Sequence, residues 1–293
     1  MRRAGRSAPR VPRRSWPVAV AVALGAPPAG GLAAQLPLDL ARERAECAVW
    51  LASSPISPYA AVALQPLGGG ITLGPANTDV PAPGLGRVRL TEDRGAIRML
   101  DGSAVRIVPR GRPVPLGGGY TLLAAGPAGR TVVGLYGAVR GARPPEYYPF
   151  APDLQFTATL EPPERRGRFL TLGLDGVETE AVEAGVVSVA IGGARRRLRV
   201  YQLGEAGREE AELYVYFRDA TSGQGSYPAG RFVELVPTGG GRYQLDFNRA
   251  RNPFCAYSAV YPCPAPWPGN TLAEAVAAGE RYSGGDRQGR SDR

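Results

Sequence analysis

A glycine or a proline interrupts this chain about every four residues, with 40 Gly and 29 Pro among 293 positions. Glycine weakens both helix and strand interiors, and proline removes a backbone donor, so long helices are excluded and short strands joined by turns are favoured. The predicted strands run Ala61 to Leu64, Ile71 to Leu73, Gly86 to Leu90, Ala96 to Met99, Ala104 to Val108, Tyr120 to Ala124 and Thr131 to Tyr136. Gly68 to Gly70, Asp101-Gly102 and Gly117 to Gly119 punctuate them, and Asp-Gly is a strong hairpin signal. The glycines near Gly68 lack the Gly-Lys-Ser/Thr of a phosphate loop, so they read as turn chemistry.

Pro144-Pro145 marks a boundary, after which a second set of strands is expected over Gln155 to Leu160, Phe169 to Leu174, Gly185 to Ile191, Arg195 to Tyr201 and Glu212 to Phe217. The predicted fold is therefore mainly β, a short-stranded sandwich or barrel-like architecture in two β subdomains, 56–143 and 144–282. Leu38, Leu40, Ala41, Ala45, Ala48 and Val49 share a helical face, which predicts one N-terminal helix within 35–55. Cys47 lies in that helix and reads as a small buried apolar residue rather than a reactive thiol. Residues 270–279 are expected to form a short C-terminal helix or strand, and 283–293 a disordered tail.

Residues 1–34 pass from scattered arginines through Val18 to Leu24 and end in Gly31 to Ala34. That is the pattern of a secretory signal peptide cleaved near Ala34, and its apolar run is too short to span a bilayer. Arg13-Arg14 faintly suggests a twin-arginine signal, with ordinary secretion preferred. The expectation is an exported protein, periplasmic or extracellular, with no transmembrane segment in the mature chain.

The net charge is +9. Six arginines belong to the leader and the last thirteen residues carry a surplus of two, so the folded part sits near +1. Nucleic-acid binding loses its main support on that count. There is no histidine, which removes imidazole catalysis and His-ligated zinc. The run Arg195 to Arg197 with Arg199 alternates with Leu198 and Val200, the solvated face of a strand, with anion binding as the alternative.

Polar chemistry concentrates between Arg218 and Glu280. Asp219, Thr221, Ser222 and Gly223 are turn and cap formers. Arg231 and Asp246 lie on a predicted hairpin that could bring them together across strands. Asn248, Arg249 and Asn252 follow, then a proline-rich loop carrying Cys255 and Cys263. In an exported protein those two cysteines most economically form a disulfide, with Cys47 left over; a Cys-ligated metal and a redox pair are the weighed alternatives. No metal and no cofactor is expected.

The ordered series Phe217 to Gly223, Tyr227, Gly230 to Phe232, Asp246 to Ala250, Asn252-Pro253, Cys255 to Tyr257, Cys263-Pro264, Asn270, Leu272 and Ala278 to Glu280 resembles the bacterial domain of unknown function 1684 family. Glu146 to Asp153 is similar to that family's aromatic and proline segment, and the N-terminal half matches loosely. Three positions depart from the family pattern: Arg251 stands where Tyr is usual, Gln65 where His is common, and Gln155 where Arg is expected. The resemblance implies no established reaction.

Three functions follow from these residues. The first is a binding module in which Thr221, Ser222, Tyr227, Arg231, Asn248, Arg249, Asn252, Tyr257 and Asn270, with Trp267, line a polar and aromatic pocket for a small molecule, a glycan or an envelope fragment. The second is a His-independent hydrolase or lyase using two of Asp219, Asp246 and Glu280 as acid and base, with Arg249 stabilising negative charge. The third is a structural role alone.

Overall fold

A computed structural model describes residues 35–165, 167–203, 212–265 and 267–284. The expected signal peptide and most of the expected tail lie outside them. Among these residues one α-helix, α1 (Leu38–Ser53), leads into sixteen strands. They form three sheets, so the mainly β expectation holds, and the arrangement is sandwich-like with no closed barrel. No described helix is long and apolar enough to cross a membrane.

The N-terminal strands make two sheets. β1 (Ala61–Pro66), β7 (Val114–Pro115), β8 (Thr121–Ala125) and β9 (Val132–Tyr136) form one, in the order β1-β9-β8-β7. The other runs β3-β2-β4-β5-β6, from β2 (Ile71–Gly74), β3 (Val80–Pro81), β4 (Val88–Asp93), β5 (Ala96–Asp101) and β6 (Ala104–Val108). Alternating Leu73, Val88, Leu90, Ile97, Met99, Leu122, Val133 and Leu135 close one core between them. Asp101-Gly102 does turn the β5–β6 hairpin, with Gly102 at φ 61°.

The C-terminal strands form one seven-stranded antiparallel sheet, β10-β16-β15-β14-β13-β12-β11. Its members are β10 (Gln155–Thr159), β11 (Arg168–Leu172), β12 (Glu178–Ile191), β13 (Ala194–Leu203), β14 (Glu212–Phe217), β15 (Arg231–Gly239) and β16 (Arg242–Asp246). Odd-numbered Val187, Val189, Val215, Phe217, Val233, Leu235, Leu245 and Phe247, with Leu198 and Val200 opposite, face one core as the two-residue period of a strand requires. The sheet curls until its edge strand touches β12. Glu161 exchanges main-chain bonds of 2.8 and 3.0 Å with Val186, beside a bulge between Glu183 and Gly185. A Cβ on Gly185 would lie 2.3 Å from the Glu161 carbonyl oxygen, so only glycine admits that approach.

Residues 270–280 form neither the expected helix nor the expected strand. Apart from single bridges at Thr271 and Glu280 they are irregular. They seal the open end of the curled sheet with Leu272, Val276 and Ala278. Most of their main-chain groups bond outside the segment, to the main chain of Arg218, Ala220, Ala250 and Tyr148 and to the side chains of Arg231 and Asp219, which removes the bonds a helix would need.

Candidate functional site

The signature residues assemble into three hydrogen-bonded nodes and two stitches. The first node centres on Arg231, whose side chain starts on the inner face of β15 opposite Phe217. Its Nη1 donates to the carbonyls of Ala278 (2.5 Å) and Glu280 (3.2 Å), and its Nη2 to Val276 O at 2.8 Å. Asp219 Oδ2 lies 3.4 Å from Nη2 and accepts the Val276 N–H at 2.6 Å. Thr221 and Ser222 donate to the same carboxylate. Arg231 is fully buried. Burial presses its pKa down and the Asp219 charge resists. A buried guanidinium with five acceptors is a clasp holding residues 276–280 in the mouth of the sheet.

The expected Arg231–Asp246 pair does not form. Ladder register sets Arg231 opposite Phe217 and Asp246 opposite Gln155, so the two aspartates serve different nodes. Asp246 ends β16 and caps the short 3-10 turn Phe247–Arg249 by accepting the Asn248 N–H at 2.9 Å. Gln155 Nε2 donates to its Oδ2 at 2.8 Å, and Arg249 Nε lies 3.3 Å from the same oxygen. Asn248 exchanges bonds of 2.8 and 2.9 Å with the main chain of Ala151.

The third node is the buried carboxyl of Glu280. Its Oε2 accepts the Asn252 N–H at 2.8 Å and the Tyr257 hydroxyl at 2.5 Å. Its Oε1 and Asn252 Oδ1 are both buried without a partner among the described residues. Burial raises the Glu280 pKa, against the pull of its hydrogen bonds and of Arg251 and Arg231. Burial, then the Glu280 charge, also lifts the Cys47 thiol to about 11. Cys47 is half-buried and therefore held as the neutral thiol, in accord with its reading as a packing residue.

Asn270 stitches the closing segment to the sheet, exchanging bonds of 2.8 and 2.9 Å with the Arg199 main chain and donating to Tyr216 O at 3.1 Å. Tyr227 donates to the Cys255 carbonyl at 3.0 Å. Cys255 and Cys263 are joined in a disulfide, Cα to Cα 5.5 Å. Trp267 is buried among Tyr201, Tyr216 and Phe232 on the other face of the sheet. Among the described residues no cluster of His, Cys, Asp or Glu is placed to hold a metal ion.

Helix α1 adds residues that sequence reading missed. Glu43 spans two guanidiniums: its Oε2 meets Arg249 Nη1, and its Oε1 lies 2.5 Å from Arg251 Nη2. Asp39 takes Arg249 Nη2, and Arg44 donates to Asn248 O at 3.1 Å while stacking 4.1 Å over the Tyr147 ring. Between α1 and these arginines lies a cavity of about 10 Å³, room for one water, lined by Leu40, Glu43, Arg44, Cys47, Tyr147, Asn248, Arg249 and Arg251. No local signal could reveal this, because Glu43 and Arg249 are 206 residues apart.

The comparisons follow the same residues. The family model "Protein of unknown function (DUF1684)" matches residues 144–281. A solution NMR structure of an uncharacterised protein of Haloarcula marismortui is 35% identical, over 47% of this chain and 76% of that one, with a TM-score of 0.41. No curated protein matches. The match carries every node above except the contribution of α1, and through residues 144–281 the chain belongs to the DUF1684 family.

Proposed function

We propose that the protein is an exported binding module for a small carboxylate-bearing molecule, whose carboxylate takes the place Glu43 holds between Arg249 and Arg251. One observation carries this reading. Each oxygen of Glu43 meets its own guanidinium, the geometry by which paired arginines recognise a carboxylate, and an internal group already fills it. The tether is weak enough to exchange. Arg249, Arg251 and Glu43 are each a quarter or more exposed, and such pairs contribute about 0.2–1 kcal/mol. α1 fully buries only Leu40 and Leu51.

Acid and base catalysis by a carboxylate pair finds no support, since Asp219, Asp246 and Glu280 each sit in a separate node. The Arg231 node, in which Nε alone of the guanidinium nitrogens lacks a partner among the described residues, favours a structural role for Asp219, Thr221, Ser222 and Arg231. Export is supported by the composition of residues 1–34 and by the Cys255–Cys263 disulfide, which persists in oxidising compartments. Intact mass after expression in a Gram-negative host is expected to show cleavage near Ala34; a full-length chain retained in the cytoplasm refutes export.

The binding test is a thermal shift titration with malonate against sodium chloride at matched ionic strength. Malonate is expected to raise Tm, more so in Glu43→Gln, and to do nothing in an Arg249→Gln, Arg251→Gln double variant. Absence of any malonate-specific shift in both the wild type and Glu43→Gln sinks the proposal.

A further inference from the structure

The seam where the C-terminal sheet nearly closes carries a second inference, independent of the clamp under α1. β10 is the terminal strand of its sheet, and just past its end Glu161 bridges to Val186 of β12. The facing edge of β12 is taken by β11 over Glu178 to Val182 and by Glu161 at Val186. Past Val186 no described strand pairs with it, and the two-residue alternation of the pleat turns the main-chain groups of Ser188 and Ala190 into the gap.

The gap is a groove of about 540 Å³, in the size range of small-ligand sites. Thr157, Thr159 and Arg242 line one wall, Ser188 and Arg195 the other, with Glu161 at the closed end. The Glu161 carboxylate is already engaged, accepting from Ser188 Oγ at 2.7 Å and from Arg197 Nη2 at 3.3 Å. The side chains of Arg195 and Arg242 are exposed, and the Arg195 charge lies near enough to the Glu161 carboxylate to favour its ionised form. The groove therefore offers two strand edges, the hydroxyls of Thr157 and Thr159, and two exposed guanidiniums.

We propose that this seam binds an extended acidic peptide segment, which adds to the sheet as a short strand. Alternating main-chain donors and acceptors on a strand edge are complementary to a peptide backbone, and the flanking arginines select carboxylate side chains. From Thr157 to Leu160, short of the Glu161 already paired with Val186, the wall spans roughly 10 Å at about 3.3 Å per residue, enough for a segment of about three residues.

The test is fluorescence anisotropy on the full chain with a labelled Val-Glu-Val-Glu peptide, its Val-Gln-Val-Gln counterpart, and a version with N-methylated backbone amides. Binding is expected for the acidic peptide, about tenfold weaker for the glutamine form, and lost on N-methylation. Arg195→Gln with Arg242→Gln is expected to weaken the acidic peptide by about tenfold as well. Both arginines are exposed and outside every node, so this variant stays folded. Failure of the acidic peptide to bind overturns the proposal. So does binding that survives both N-methylation and the double substitution, which marks adventitious charge attraction.

Discussion

Tyr257 donates its hydroxyl to Glu280 Oε2 at 2.5 Å while Oε1 of the same carboxyl has no partner among the described residues. A buried carboxyl half satisfied in this way favours its proton. Its folded pKa is raised chiefly by burial, with Cys47 of α1, Tyr147, Tyr257, Arg251 and Arg231 around it. The folded state therefore holds a proton that the unfolded chain releases near pH 4.3. Glu280's contribution to stability is fully present below that pH and is lost as pH rises toward its folded pKa, by up to about 1.4 kcal/mol per pH unit. Urea unfolding of Glu280→Gln, which keeps the shape and cannot ionise, is expected to show a flatter pH dependence between pH 5 and 8. An unchanged slope contradicts the raised pKa.

The Arg231 node predicts a large structural effect. Arg231→Met leaves the buried Asp219 carboxylate without its cation and frees three carbonyls of the closing segment. The expected loss is about 3–5 kcal/mol by chemical denaturation. A loss under about 1 kcal/mol would show that residues 276–280 are held by something else.

Gly185 sets the seam. Gly185→Ala places a methyl group against the Glu161 carbonyl and the Leu160 side chain, both under 3 Å away. A loss of about 1–3 kcal/mol is expected, with faster hydrogen exchange at the Glu161 and Val186 amides. Wild-type protection at those two amides would contradict the described approach.

Cys47 reports on α1. It is the free thiol of the chain, since Cys255 and Cys263 are bonded to each other. With its pKa pushed up to about 11, it is expected to react with iodoacetamide at pH 8 far more slowly than in urea. Glu43→Gln loosens the helix and is expected to speed the reaction several-fold; equal rates in the two proteins would detach the thiol's environment from α1 docking.

Much of this fold was legible because its signals are local. The alternation of Leu198 and Val200 with arginines and the Asp101-Gly102 turn each depend on neighbours a few residues away; α1 forms where expected, but the face expected to pack is only partly the one buried, since Leu38, Ala45 and Val49 are exposed and Leu40 and Leu51 are buried. The identity of the signature residues was legible too, as a crowd of capping and pairing groups. Their partners were not. Arg231 and Asp246 stand on adjacent strands, yet register sends one to Asp219 and the other to Gln155. Residues 270–280 read as a short helix or strand, but they form neither, because distant main-chain groups and the side chains of Arg231 and Asp219 take their main-chain bonds. Glu43 had no local reason to seek Arg249 and Arg251.

The length of chain between α1 and its arginines also orders events in time. During synthesis α1 emerges long before Arg249 and Arg251, and β10 waits for β16, whose Asp246 lies 91 residues beyond Gln155. Contacts of such sequence separation form slowly, because loop closure must precede them. α1 is thus made long before the residues it docks against, and until Arg249 and Arg251 follow, the carboxylates of Asp39 and Glu43 lack the partners that hold them in the folded protein.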